Sequence, residues 1–164
     1  MFLVDQLIDI LKSEATLYDS ILKVSRKKTG IIIDGKISEL ESITKLEQAI
    51  VMQVGKLEDA RENLVEKLSA QLNLDSSRIT ISDISKLLQR EQANRLNTCQ
   101  FALEKVLEEL KSANELNSKL IKNSLEYIDF SINLLANTSV AGNLYGNSGR
   151  ANDSKMRNFF DMKL

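Results

Sequence analysis

Glu14, Glu47 and Arg61 are charged residues set where the apolar spacing of the chain calls for leucine or isoleucine, and Cys99 stands at a fourth such position. Carboxylates brought together inside a protein do general acid–base work or hold metal ions, and a thiol becomes a nucleophile when a neighbouring base activates it. The composition removes the groups both chemistries need. There is no histidine, which excludes Ser-His-Asp and Cys-His catalysis and the Glu-x-x-His pairs of di-metal bundles. No glycine-rich loop runs into Lys-Ser or Lys-Thr, so no phosphate cradle is expected. Glu14, Glu47 and Arg61 are then structural seam charges, with an acid–base pair between helices available to fix register. Cys99 reads as a small core hydrophobe; as a lone cysteine it cannot form an internal disulfide, which suits a reducing compartment. The expectation is a protein that is not an enzyme, with no catalytic residue, metal or cofactor.

The elements that carry these residues are helices. The 164-residue chain suffices for one domain or one elongated bundle, and it contains no proline, where roughly eight would be usual. Proline breaks helices by removing a donor and crowding the preceding turn, so its absence favours long uninterrupted ones. The first runs from about Phe2 to about Ile32, with a near-heptad stripe Leu3, Leu7, Ile10, Glu14, Leu17, Ile21 and Val24 widened by Leu11, Tyr18 and Leu22. Arg26, Lys27 and Lys28 sit near its C-terminal end, where cations suit the helix dipole. Gly30 and then Asp34-Gly35 supply the break. A second helix from about Lys36 to about Leu72 carries Leu40, Ile43, Glu47, Ile50, Val54, Leu57, Arg61, Leu64 and Leu68. Gly55 weakens it by about 1 kcal/mol.

Residues 73–78 read as a polar loop, and Thr80 with Asp83 three residues on forms a capping box for a short helix over about Ser82–Leu88. A third long helix from about Gln92 to about Ala136 would extend on the order of 65 Å. Its seam is Leu96, Cys99, Leu103, Val106, Leu110, Ala113, Asn117, Leu120, Ser124, Tyr127, Ser131 and Leu134. The fold class expected is all-α: an elongated antiparallel bundle or coiled coil over residues 1–136, with a flexible, glycine-bearing tail over 137–164.

The charge balance points to no polyanion. Twenty-two Lys and Arg against 23 Asp and Glu leave a net charge of −1 with the signs interspersed, so neither nucleic acid nor an anionic membrane surface is attracted. The start of the chain lacks the basic-then-apolar pattern of a signal peptide. Its longest wholly apolar runs are a few residues, such as Ala49 to Met52, too short for stable membrane insertion. A soluble cytoplasmic protein is expected.

The third helix changes character along its length. From Cys99 to Ala113 a single apolar stripe faces charged residues, whereas from Leu120 onward a second stripe joins it: Ile121, Leu125, Ile128, Ile132 and Leu135. A helix apolar around most of its circumference must be covered on several sides. Either the bundle wraps this stretch, or the tail folds back over it, or another protein covers it. A fully internal bundle helix is one reading. A groove for a partner's amphipathic helix is the other, with Asn117, Ser124 and Ser131, each a heptad apart, permitting close approach or merely setting register.

At these residues the chain resembles the FlgN-type flagellar export chaperones. The resemblance spans nearly the whole sequence: Glu14, Tyr18, Leu22 and Lys27 in the first helix, and Gly35, Leu40, Glu47 and Arg61 in the second. The third contributes Asn114-Glu115-Leu116-Asn117 and Ser124-Leu125-Glu126-Tyr127-Ile128, and Leu144-Tyr145-Gly146 lies beyond it. The tail is longer than the family pattern and runs on through Asn158-Phe159-Phe160-Asp161-Met162-Lys163-Leu164. The resemblance implies a chaperone of the bacterial cytoplasm that binds the C-terminal helical regions of the hook–filament junction proteins. It implies that the chaperone keeps them from premature assembly and brings them to the flagellar type III export apparatus. The client-binding residues would be Asn117, Leu120, Ile121, Ser124, Leu125, Ile128, Ile132 and Leu135. Docking to the cytosolic domain of the export gate would fall on Leu144, Tyr145 and Gly146. The chaperone reading expects a monomer or weak dimer; the competing expectation is a structural coiled-coil or adaptor protein that self-associates tightly through the same apolar face.

Overall fold

The computed structural model describes residues 2–72 and 79–142. These form four helices and no strand among the described residues: α1 Phe2–Ile33, α2 Ile37–Leu72, α3 Ile81–Lys86 and α4 Arg90–Gly142. The all-α expectation is met. Residues 73–78, read from sequence as a loop, and 143–164, read as most of a flexible tail, lie outside the described residues. The chain divides into two compact units, Met1–Ser124 and Leu125–Leu164.

Helix α1 does not break at Gly30. It continues through that residue to Ile33, with Ile31 and Ile32 buried; their burial outweighs the roughly 1 kcal/mol cost of one helical glycine. The stop comes at Gly35, which takes φ +66°. The Gly35 amide donates to the Ile32 carbonyl (3.1 Å) and the Lys36 amide to that of Ile31 (3.1 Å), the paired closure of a Schellman motif. Because α1 extends this far, its last turn holds no basic residue. Arg26 and Lys28 instead reach across to other helices, to Glu109 (2.8 Å) and Glu47 (2.6 Å).

Cross-helix partners give the directions. Glu14 meets Arg61, Tyr18 meets Glu58 and Lys28 meets Glu47, so rising numbers in α1 match falling ones in α2 and the pair is antiparallel. Asp5 meets Arg95, Ser25 meets Asn114 and Thr29 meets Asn117, so α4 runs parallel to α1. The topology within Met1–Ser124 is up, down, up.

Two apolar clusters form the core of this unit. The first joins Val4, Leu7, Ile8 and Leu11 of α1 to Leu64 and Leu68 of α2 and to Leu96 and Cys99 of α4. Ile84 of α3 is buried in the same cluster, held by the expected capping box: the Asp83 amide donates to Thr80 Oγ1 and the Thr80 amide to Asp83 Oδ2, both at 3.2 Å. The second joins Ile21, Leu22, Val54 and Leu110.

Contact with two neighbours makes α1 carry two seams. Besides the expected stripe, Val4, Ile8, Leu11, Leu22 and Ser25 are fully buried at four-and-three spacing, whereas Leu3, Ile10, Leu17 and Val24 are only half-buried.

Gly35 and Gly55 both have open space where a Cβ would stand, so backbone conformation alone decides what alanine does there. Gly35→Ala should lower stability by about 1 kcal/mol, the strain of a left-handed residue with a side chain. Gly55→Ala, in mid-helix, should raise it by about 0.4–1 kcal/mol. Urea unfolding midpoints moving in opposite directions would verify the pair.

Candidate functional site

The α4 seam is enclosed over its first part and open over its second. Leu96, Cys99, Leu110 and Asn117 are buried, and Leu103, Val106, Ala113 and Leu120 half-buried. Ser124, Tyr127 and Leu134 on the same line are exposed. From 125 to 137 no residue is buried, and only Ser131 is as much as half-covered.

Asn117 marks the end of the enclosed part. Its Nδ2 donates to the Ser25 carbonyl at 2.9 Å and to Ser25 Oγ at 3.1 Å, and its Oδ1 accepts from Thr29 Oγ1 at 2.6 Å. One turn earlier, Asn114 Oδ1 accepts from Ser25 Oγ at 2.8 Å. A buried amide so satisfied fixes one register, because any slip between the helices would strand its donors and acceptor away from water. Asn117 therefore faces α1, apart from the exposed residues it was grouped with in the sequence. Sequence reading did not identify Ser25 and Thr29 as its partners, although they continue the second seam of α1 one heptad step at a time.

Ser124 and Ser131 donate to their own helix, to the carbonyls of Leu120 (2.9 Å) and Tyr127 (2.8 Å). This back-bonding consumes their hydroxyls and leaves the surface around them apolar in character. That surface carries Leu125 (57% exposed), Ile128 (49%), Ile132 (52%) and Leu135 (70%), with Ile121 less open at 39%. Tyr127, Phe130 and Leu134 are exposed as well. Such a concentration of large apolar side chains is what soluble proteins otherwise avoid. Leu144, Tyr145 and Gly146 lie outside the described residues.

The seam charges are paired within the bundle. Glu14, almost fully buried, accepts from Arg61 Nε at 3.0 Å, and the mostly covered Glu47 accepts from Lys28 at 2.6 Å. Lys28 is the partner the sequence did not assign, although it stands one step beyond Val24 on the same four-and-three line. Beside the first pair, Tyr18 Oη donates to Glu58 Oε1 at 2.7 Å. Burial, this hydrogen bond and the charges of Glu58 and Glu14 push the Tyr18 phenol up to about 12, against the opposing pull of Arg61. These groups tie helices together, and Tyr18, Lys28 and Glu47 also line an open cavity of about 370 Å³ with Asn114 and Asn117. No group of three or more metal-ligating side chains occurs among the described residues, and none of the described helices is long and apolar enough to cross a membrane.

Fold and surface together define a helical-bundle protein that carries an exposed apolar helix face. The family described as FlgN protein matches residues 1–153, and the chain belongs to that family, one of flagellar export chaperones rather than enzymes. It is also similar to a Bacillus subtilis (strain 168) protein named "Uncharacterized protein YvyG", with 30% identity over 129 residues covering 79% of this chain and 78% of the relative. No solved structure matches it.

The Tyr18 contact has a definite pH signature. A phenol whose folded value is raised adds stability that is whole below its ordinary value near 10 and is lost as pH climbs through about 12. A spectrophotometric titration should show one tyrosine ionising late, and Tyr18→Phe should remove that phase. The same variant should lose less stability than the native chain between pH ~10 and ~12; three tyrosines titrating together near 10 would contradict the contact.

Proposed function

We propose that this flagellar export chaperone captures the C-terminal helical regions of the hook–filament junction proteins on the second half of α4. Leu125, Ile128 and Ile132 are the central anchors, Ile121 and Leu135 flank them, and Leu120 and Ser124 border the face; Asn117 fixes the helix that carries it. The exposed apolar face carries this reading, and family membership supports it. An amphipathic helix that has lost its assembly partner needs a surface of this kind, read as anchors about one turn apart. Each fully covered leucine or isoleucine contributes about 1.5–3 kcal/mol. Ordering the client and losing its freedom offset several kcal/mol of that, leaving a complex that an export apparatus can undo.

Delivery is the second half of the proposal. Leu144, Tyr145 and Gly146 would dock on the cytosolic domain of the export gate, placing recognition of the apparatus just beyond the client-binding helix. The chaperone acts in the bacterial cytoplasm as a monomer or weak dimer, without nucleic acid and without stable membrane insertion. Nothing in this mechanism asks for a cofactor or a bond-making step.

Co-purification of the chain with its own organism's junction proteins, followed by mass determination, tests the reading. A stoichiometric complex lost on truncating the client's C-terminal helix is expected. Leu125→Asp should weaken client binding by at least about 100-fold, the loss of one buried leucine plus a buried charge, with helical circular dichroism retained. Tyr145→Ala should keep the client and lose the gate domain. A tight homodimer that ignores the clients would favour the self-associating alternative.

A further inference from the structure

The exposed part of α4 and the residues that follow it are chemically complementary. Between 121 and 137 the charged side chains are Lys122, Glu126 and Asp129, a net −1. Residues 143–164 carry Arg150, Lys155, Arg157 and Lys163 against Asp153 and Asp161, a net +2 on side chains. The same stretch holds Met156, Phe159 and Phe160, so it has apolar groups to bury as well as charge of the matching sign.

We propose that Met156, Phe159 and Phe160 pack onto Leu125, Ile128 and Ile132 of the same chain, so that the protein covers its own apolar face when no other protein does. Reach permits it. From Gly142, the end of α4, back to Ile128 is fourteen residues of helix, or about 21 Å at ~1.5 Å each. Residues 143–155 can stretch to about 43 Å at ~3.3 Å each, so they cross that distance with slack. Closing so short a loop costs little entropy, and a tether of this length holds the tail near its face at an effective concentration on the order of millimolar. A second copy at micromolar concentration competes poorly with that. Under the client reading the tail becomes a competitor that the client must displace; the contact itself does not depend on that reading.

The chain contains no tryptophan, so Phe160→Trp installs a single reporter in the full-length protein. Its emission should lie to the blue of a solvated indole, be independent of protein concentration, and move red when Ile128→Asp and Ile132→Asp are added with helicity unchanged. Ile128→Gln with Ile132→Gln makes the same comparison without new charge, should the acidic pair unfold the helix. Emission of a fully solvated indole would overturn the proposal. So would a blue shift indifferent to both pairs of substitutions, which places the tail elsewhere. A blue shift that grows with protein concentration would assign the face to a second copy. No client enters the measurement, so failure of the tail contact and failure of the client complex are separate results.

Discussion

A helix can be apolar around most of its circumference only where something covers it on more than one side, and α4 makes that demand after it has passed Asn117. Up to that residue α4 has a single apolar stripe, which α1 and α2 cover, with Leu96, Cys99 and Leu110 in the interior of Met1–Ser124. The Asn117 amide, bonded to Ser25 and Thr29, permits only one longitudinal position of α4 against α1. The polar layer therefore settles which α4 residues of Met1–Ser124 are enclosed. Shift the helix by one heptad and Ser124 would stand where the amide belongs, with no side chain able to replace its three hydrogen bonds.

The charges inside the bundle do similar work on the other pair of helices. Glu14 with Arg61 and Glu47 with Lys28 join α1 to α2 at two levels. Such pairs contribute little net stability, since desolvation offsets much of their attraction, but a buried carboxylate separated from its cation is costly. Together with the Tyr18 to Glu58 bond they discourage sliding of the hairpin.

Much of this was legible in the sequence because long helices announce themselves through spacing. The absence of proline, the four-and-three stripes and the Thr80–Asp83 capping box located all four helices within a few residues, except that α4 runs on to Gly142 rather than ending near Ala136. Gly30 misled because a glycine costs a helix only modestly, and the burial of Ile31 and Ile32 lies outside any local rule. Arg26 and Lys28 lie short of the last turn and pair across helices instead. The second seam of α1 was partly hidden because Ser25 and Thr29 are polar, and a search for apolar periodicity passes over residues that are buried for their hydrogen bonds. Asn117 shows the same limit. Its heptad spacing with Ser124 and Ser131 was visible, but spacing alone does not say that the first turns to a neighbouring helix while the other two bond to their own backbone. The two apolar stripes of α4, by contrast, were fully readable, and Leu125, Ile128 and Ile132 stand exposed on the face they outline.

The most direct measurement is amide hydrogen exchange, resolved along α4, with and without a client's C-terminal helix. Exchange in a helix reports local opening, and covering an exposed face with a partner raises the cost of opening it. The account predicts that the client slows exchange across residues 125–137 while leaving 96–117, already enclosed, nearly unchanged. Slowing confined to Met1–Ser124, with 125–137 exchanging as before, would contradict it and move the client site off this face.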